Sequence, residues 1–373
     1  MKYFDAFAGI GGFALGIQQA YENIQCSERF QQGRVDKNGN LPNTGESRLA
    51  TQPLCIGFSE IDRYAIQVYQ SHFPTHKNYG SISEIDWNTV PDFDLLTGGS
   101  PCQDLSIAGK RAGLGGERSG LFEEYVRALK EKKPQYFVWE NVKGALSSNQ
   151  GWDFVSVINS FTEAGYDVQW QVLNSKNFGV PQNRERIFVV GSRGKCAREV
   201  FFEREGTDVG LGKDGQGNAY CLQAGGDKHR GTYIKQLNNP THSNNRVYGA
   251  EVISPTLNTA QGGNRQPFVS VPEATKKGYA VAHEGDSINL SFPNSKTRRG
   301  RVGVGVAQTL DAGMQQHTLQ RAMIRRLTPG ECMKLQGFPP DWCDVVSDSQ
   351  KYKCAGNAVT VNVIEAIMGR LLQ

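Results

Sequence analysis

The sequence predicts an α/β domain built on a mostly parallel sheet, with a smaller domain of strands and loops after it. Three observations lead there. Short apolar strands alternate with amphipathic helices through the first half of the chain. Glycine-containing loops follow several of those strands at the points where doubly wound folds bind ligands. Helical periodicity then fades after Gly191, and glycine, asparagine, glutamine and threonine dominate until about residue 326. The expected division is 1–191 for the first domain, 192–320 for the second, and 321–373 returning to the first.

Taken in order, Tyr3 and Phe4 begin a strand, a glycine turn follows, and Leu15, Ile17 and Tyr21 mark one face of a helix. Residues 27–53 are polar and read as an inserted loop. Strands are then expected at Cys55–Phe58, Phe93–Leu96, Tyr136–Trp139, Val168–Leu173 and Ile187–Val190, with helices at 61–71, 119–131 and 152–164. In the second domain three segments resemble one another, 219–225, 254–260 and 307–313; their uneven spacing excludes a solenoid.

Composition narrows the class. Of 373 residues, 38% are hydrophobic and 21% charged, which suits a globular chain with a sizeable core. No run approaches the roughly 18 apolar residues of a spanning helix, and Asp5 interrupts any secretory leader, so a cytosolic protein is expected. The eight cysteines lack a C-x-x-C pair, so neither zinc nor a disulfide framework is expected. A net charge of +4 is weak evidence, but basic residues cluster at Arg184 and Arg186, Lys228 to Arg230, Lys296 to Arg301, and Arg321 to Arg326. Charge alone leaves solubilising loops and a nucleic-acid face both open.

Five motifs carry chemistry. Asp5-Ala6-Phe7-Ala8-Gly9-Ile10-Gly11-Gly12 lies between strand and helix, where glycines let backbone approach a nucleotide-like cofactor. Glu60-Ile61-Asp62 follows the second strand, where an acid commonly accepts ribose hydroxyls; alone, Glu60 also reads as a solvated helix-start residue. Gly98-Gly99-Ser100-Pro101-Cys102-Gln103 displays a cysteine after a strand, beside a 104–120 loop that holds five glycines and suits a lid. Trp139-Glu140-Asn141-Val142 ends another strand and offers a proton donor, with helix capping the ordinary role for Asn141. Gln182-Asn183-Arg184-Glu185-Arg186, if it begins the strand running to Val190, puts two guanidiniums on one face; surface pairing with Glu185 is the plain alternative.

In this order the segments resemble the motif series of the C5-cytosine DNA methyltransferases. The most specific match is Pro101-Cys102-Gln103, then Glu140-Asn141-Val142, Gln182-x-Arg184-x-Arg186 and Gly356-Asn357-Ala358-Val359. Arg326 to Pro329 and Leu335 to Pro339 are similar to the segment that supports the family's recognition domain. The resemblance covers nearly all of the chain outside 27–53 and about 192–320.

It implies a Rossmann-like, S-adenosylmethionine-dependent catalytic domain, a target-recognition domain and double-stranded DNA as substrate. Cys102 would attack carbon 6 of a flipped cytosine, Glu140 would engage N3, Arg186 would hold O2, and Arg184 would support the site or reach a phosphate. Phe7 would meet the adenine and Glu60 the ribose, with Gly9, Gly11 and Gly12 at the amino-acid end. Ile61, Ile82, Leu121, Asn357 and Val359 would complete the pocket, and S-adenosylhomocysteine would leave; no metal is implied. Where the family commonly has Gly-Asp-Ile, this chain has Gly80-Ser81-Ile82, leaving Ser81 or Asp86 to contact the adenine. Thr256-Leu257 or Thr309-Leu310 resembles the family's threonine–leucine signature, and Arg298, Arg299 and Arg301 would contact phosphates. A monomer in a restriction-modification or phage self-protection setting, with any cognate endonuclease acting separately, completes the expectation. An RNA cytosine methyltransferase shares the catalytic residues. A silent DNA-binding relative would lose Cys102 or Glu140, and a nicotinamide dehydrogenase gives no reason for the later motifs.

Overall fold

The computed structural model describes residues 1–32, 52–100, 120–194, 200–201, 235–236, 247–249, 268–283, 285–292, 295, 297–310, 316–320 and 323–372. Cys102, the proposed lid, most of the polar insertion and two of the three similar segments lie outside them.

In chain order the elements begin with β1 (Lys2–Ala6), α1 (Gly12–Gln32), β2 (Leu54–Ser59), α2 (Arg63–His72), β3 (Leu95–Gly98), α3 (Gly120–Lys132) and β4 (Tyr136–Val142). They continue with α4 (Trp152–Glu163), β5 (Asp167–Asn174), β6 (Gln182–Asn183), β7 (Glu185–Ser192), β8 (Lys235–Gln236), β9 (Val247–Gly249), β10 (Phe268–Pro272) and β11 (Tyr279–Ala282). The remainder are β12 (Ser287–Asn289), β13 (Val302–Gly303), β14 (Ala307–Gln308), β15 (Gln316–Gln320), β16 (Met323–Arg326), α5 (Pro329–Leu335), α6 (Asp348–Asn357) and α7 (Val361–Leu371). The six strands and four helices expected in the first half are all present.

The chain divides into two compact units. One comprises 1–174, 185–206 and 358–373; the other comprises 175–184 and 207–357.

The first unit is built on a six-stranded sheet of order β2-β1-β3-β4-β7-β5. Pairs among β2, β1, β3 and β4 are parallel, whereas β7 runs antiparallel to both β4 and β5. The carboxyl ends of the four parallel strands therefore share one edge, and the start of β7 comes to the same edge. β1 sits where the strand order reverses, the position at which open α/β sheets hold ligands.

Alternation along the strands fills the core. Phe4, Leu96, Phe137 and Trp139 are fully buried, and Phe122, Tyr125 and Phe161 pack with them. Phe137 and Trp139 meet Phe161 edge-on or tilted, with ring centroids 4.5 and 5.8 Å away. The Tyr125 hydroxyl ties α3 to the sheet, 3.2 Å from the carbonyls of both Leu96 and Val138. α7 closes on α1 where Gly16 leaves space: a β-carbon there would lie 2.7 Å from Cβ of Ile364.

The second unit contains two four-stranded sheets, β11-β10-β9-β8 and β13-β12-β15-β16, and the short pair β14-β6. Val271, Ala282, Ile288 and Leu319 form a small core between strands of both sheets. Thr328 caps α5 in a reciprocal box with Glu331, and the Tyr352 hydroxyl donates to the Leu327 carbonyl at 2.6 Å. Among the described residues no helix is long and apolar enough to cross a membrane.

Candidate active site

The glycine turn after β1 is wound by alternate left-handed residues: Phe7 at φ 54°, Gly9 at 55° and Gly11 at 90°. Gly11 has a second constraint, because a β-carbon there would lie 3.0 Å from the Phe73 ring. The turn is tied to β2 by a 3.0 Å hydrogen bond from the Ala8 amide to the Ser59 carbonyl. It is tied again by Glu60, whose Oε2 accepts the Gly9 amide at 2.9 Å. Oε1 of Glu60 accepts the amides of Ile61 and Asp62, each at 2.8 Å. Three acceptor positions of about four on a carboxylate are thus filled by backbone, leaving one for an incoming hydroxyl. Glu60 is half-buried and Ile61 is 74% exposed beside it.

Sequence reading missed Asn78. Its Oδ1 accepts the amides of Glu60 at 3.3 Å and Gly80 at 2.9 Å, and its Nδ2 donates to the Glu60 carbonyl. One amide side chain thereby locks the acid to the Gly80-Ser81-Ile82 segment; an Asn two residues before a glycine was the available signal. Ser81 Oγ lies 2.7 Å from Ser83 Oγ, while Asp86 is occupied as a cap, accepting the Asn88 amide. Ile82 is buried and Leu121 half-buried against the main core.

Asp5, at the head of the turn, is fully buried. Its Oδ1 accepts from the Thr97 hydroxyl at 3.0 Å, and Oδ2 has no partner. Burial pushes its carboxyl up to about 8, with Thr97 opposing and Glu60 adding to the rise.

At the ends of β3 and β4 the packing is close. Gly98 has no room for a β-carbon, which would lie 2.6 Å from the Ala6 carbonyl oxygen, and at Gly99 it would lie 2.9 Å from Oε2 of Glu140. Ser100 is held twice: its hydroxyl accepts from Trp139 Nε1 at 3.0 Å and its carbonyl from Asn141 Nδ2 at 3.1 Å. These bonds fix the backbone two residues before Cys102, and they give Asn141 a role other than capping.

Glu140 and Arg186 meet because β7 is antiparallel. Glu140 opposes Phe188 and Val142 opposes Arg186, so all four share one face. Arg186 Nε lies 3.0 Å from Glu140 Oε1, and the two side chains are only 16% and 15% exposed. Such a pair, partly withdrawn from water, presents a fixed donor and a fixed carboxylate side by side.

The segment from Gln182 to Val190 is not one strand. β6 ends at Asn183 and β7 begins at Glu185, so Arg184 stands at the break, in the second unit, rather than on the face of Arg186. It is 3% exposed, and its guanidinium donates to the carbonyls of Leu310 and Gly356 at 3.3 Å each. An arginine so enclosed is a brace within its unit, not a phosphate ligand. Glu185 pairs instead with Lys143, at 2.8 Å. Asn357 is exposed at the end of α6 in the second unit, and Val359 is half-buried in the first.

A glycine-wound turn, an acid after the next strand, and a carboxylate–guanidinium pair thus line one edge of a doubly wound α/β sheet, the edge at which such folds hold ligands. The whole chain, residues 1–373, matches the family described as C-5 cytosine-specific DNA methylase, and it belongs to that family. The orphan methyltransferase M.SPRI of Bacillus phage SPR is 30% identical, over 85% of this chain and 91% of the relative. The type II methyltransferase M.NgoBI of Neisseria gonorrhoeae is 31% identical, over 98% and 91%. The fold is also that of a solved structure of a candidate DNA modification methyltransferase from an E. coli prophage. TM-score is 0.59 and identity 19%, with 100% of this chain and 98% of that one covered. The protein is a DNA (cytosine-5-)-methyltransferase related to restriction-modification and phage orphan enzymes.

Proposed function

We propose that this enzyme methylates a cytosine flipped from a specific site in double-stranded DNA, with Cys102 as nucleophile and Glu140 and Arg186 as the groups that activate the base. The Glu140–Arg186 pair carries the reading: one carboxylate and one guanidinium, 3.0 Å apart on a shared sheet face, match the N3 and O2 edge of cytosine.

Carbon 6 of cytosine is a poor electrophile. As the Cys102 thiolate forms a bond to it, electron density moves through the ring, and Glu140 stabilises that density by hydrogen bonding or protonating N3. Arg186 donates to O2 and holds Glu140 in place. Carbon 5, now electron-rich, takes the methyl group; its proton then departs to a base, the electrons re-form the ring double bond, and the sulfur–carbon 6 bond breaks. Ser100, anchored to Trp139 and Asn141, directly precedes Pro101-Cys102 in the sequence.

The donor fits S-adenosylmethionine, which supplies an electrophilic methyl group when bound. Glu60 retains an acceptor position for a ribose hydroxyl, and half-buried Phe7, exposed Ile61 and half-buried Leu121 offer apolar surface for an adenine, whereas Ile82, expected there from the sequence, is buried in the core and supports the pocket from behind. Gly9, Gly11 and Gly12 bring the amino-acid end close to backbone, and Val359 is the last member of the motif series assigned to this pocket. Residues 192–320, rich in short strands and loops, are assigned to target recognition.

Methyl transfer from labelled S-adenosylmethionine to unmethylated genomic DNA and to RNA, by wild type and by Glu140→Gln, tests this reading. Transfer to carbon 5 in DNA, sharply reduced in the variant, is the expected result. Transfer to RNA alone, or undiminished transfer by the variant, would overturn it.

A further inference from the structure

In the second unit, residues 273–274 are hydrogen-bonded to residues 298–301, which brings the described residues of the stretches around them, 273–279 and 292, 295 and 297–301, together. The Ala274 amide donates to the Arg298 carbonyl at 3.0 Å, and Arg299 Nε donates to the Ala274 carbonyl at 2.9 Å. The Arg301 amide donates to Glu273 Oε1 at 2.6 Å, which turns the one carboxylate described in these loops toward the backbone.

The sequence places Arg301 on phosphate, and the structure corrects this. Its side chain is 2% exposed and donates to the carbonyls of Asn289, Ser291 and Phe292 at 3.4, 3.2 and 2.6 Å. A buried guanidinium costs desolvation, and here it is spent on holding a surface loop. The loop it holds is strained: Phe292 adopts φ 52°, a left-handed backbone that bulky residues rarely take. The result is a phenyl ring 72% exposed, with the Arg298 guanidinium 5.7 Å over it. On the adjoining loop Lys277 stands 4.8 Å over the Tyr279 ring, itself 39% exposed.

We propose that these joined loops are a preorganised DNA-contacting face, in which Phe292 packs its ring into a groove of the duplex while Lys277, Arg298 and Arg299 take flanking phosphates. The inference rests on the reading of this chain as acting on duplex DNA. Charge complementarity selects the partner: Lys276, Lys277 and Arg299 are exposed, Arg298 half-buried, and Glu273 is engaged inward. A rigid apolar ring flanked by cations is the arrangement by which proteins wedge against base steps and sugars while holding the backbone. Arg301 itself touches no DNA and acts as the scaffold.

The test measures affinity for sheared unmethylated genomic DNA against salt concentration for wild type, Phe292→Ala and the double variant Arg298→Gln, Arg299→Gln. Thermal melting and the KM for S-adenosylmethionine are recorded for each. The double variant should flatten the slope of log affinity against log salt by about 0.9 for each phosphate it no longer neutralises. Phe292→Ala should weaken binding about tenfold, because the ring no longer buries apolar surface against the duplex, with the slope kept. The cofactor KM should stay at the wild-type value in all, and melting in Phe292→Ala, whose side chain is 72% exposed; the double variant also loses the Arg299–Ala274 bond, so its melting should fall slightly. Wild-type transfer to DNA, with variants that bind as tightly and with the same slope, would overturn this inference alone. Wild-type transfer to RNA only would overturn the proposed function and this inference with it.

Discussion

Arg186 and Arg301 do opposite work with the same side chain, and the contrast separates the two units. Arg186 sits on a strand whose register, Val142 opposite Arg186, delivers it to a carboxylate at the sheet edge. In the proposed mechanism its charge is part of the chemistry. Arg301 is turned inward and gives its donors to carbonyls, so its charge is structural and what it displays is Phe292. The first unit places function by strand register, which tolerates little variation. In the proposed DNA-contacting face the second unit does so by bracing loops, which lets surface residues change while the brace stays.

Breaking the register-built site should have the largest effect. Glu140→Ala is expected to lower kcat by about 10²–10⁴, the usual share of a general acid, while leaving DNA affinity near wild type and lowering melting somewhat, because Arg186 loses its partner; single-turnover methyl transfer at saturating DNA would show it. Arg301→Met should act the other way round. It strands three carbonyls in a buried setting and should destabilise the second unit by about 2–4 kcal/mol, at roughly 1–3 kcal/mol for each group left unsatisfied and partial relief by water. The KM for DNA should rise while kcat at saturating DNA stays close to wild type. A drop in kcat equal to that of Glu140→Ala would erase the distinction between the two arginines.

Gly99→Ala sharpens the comparison on a finer scale. The added methyl would come to 2.9 Å from Oε2 of Glu140, so the carboxylate must shift relative to Arg186. A fall in kcat of about tenfold is expected, since small misplacements of a reacting group cost this much or more, with the cofactor KM unchanged.

Much of the first unit was legible because its strands are short, apolar and followed by distinctive loops. Glycine turns at 9–12 and 98–99, the acid at Glu60 and the Glu140 strand all follow from local pattern. Arg184 was not legible: it has the alternate spacing of a strand residue, but the backbone breaks beside it and its partners, Leu310 and Gly356, are 126 and 172 residues away in sequence. Arg301 failed for the same reason. A basic run reads as surface, and nothing local tells that one member is buried among the carbonyls of residues about ten positions earlier. Asn78 was missed, since one of its partners, Glu60, lies 18 residues away on another segment.

The smallest expected effect concerns Asp5. Its carboxyl is raised from 3.8 to about 8 in the folded protein, chiefly by burial, so the folded state binds a proton that the unfolded state loses. Stability from this group is complete below about 3.8 and is lost as pH rises through about 8. His76 works against it: burial lowers its ring to about 4, from 6.5, so its contribution rises with pH between those values. Of the two, only Asp5 still acts above 6.5. The melting temperature should fall between pH 6.5 and 8 in wild type and be flatter in Asp5→Asn; equal slopes would remove Asp5 as the cause.

The central claim is that Cys102 bonds to carbon 6 of cytosine. A duplex carrying 5-fluorocytosine at the methylated position tests it most directly, because the methylated ring then has no carbon 5 proton to lose and the sulfur bond persists. With S-adenosylmethionine present, the account predicts a protein–DNA adduct stable to denaturation, mapped by mass spectrometry to Cys102 and absent in Cys102→Ala. An adduct that maps elsewhere, or methyl transfer by Cys102→Ala at the wild-type rate, would contradict it.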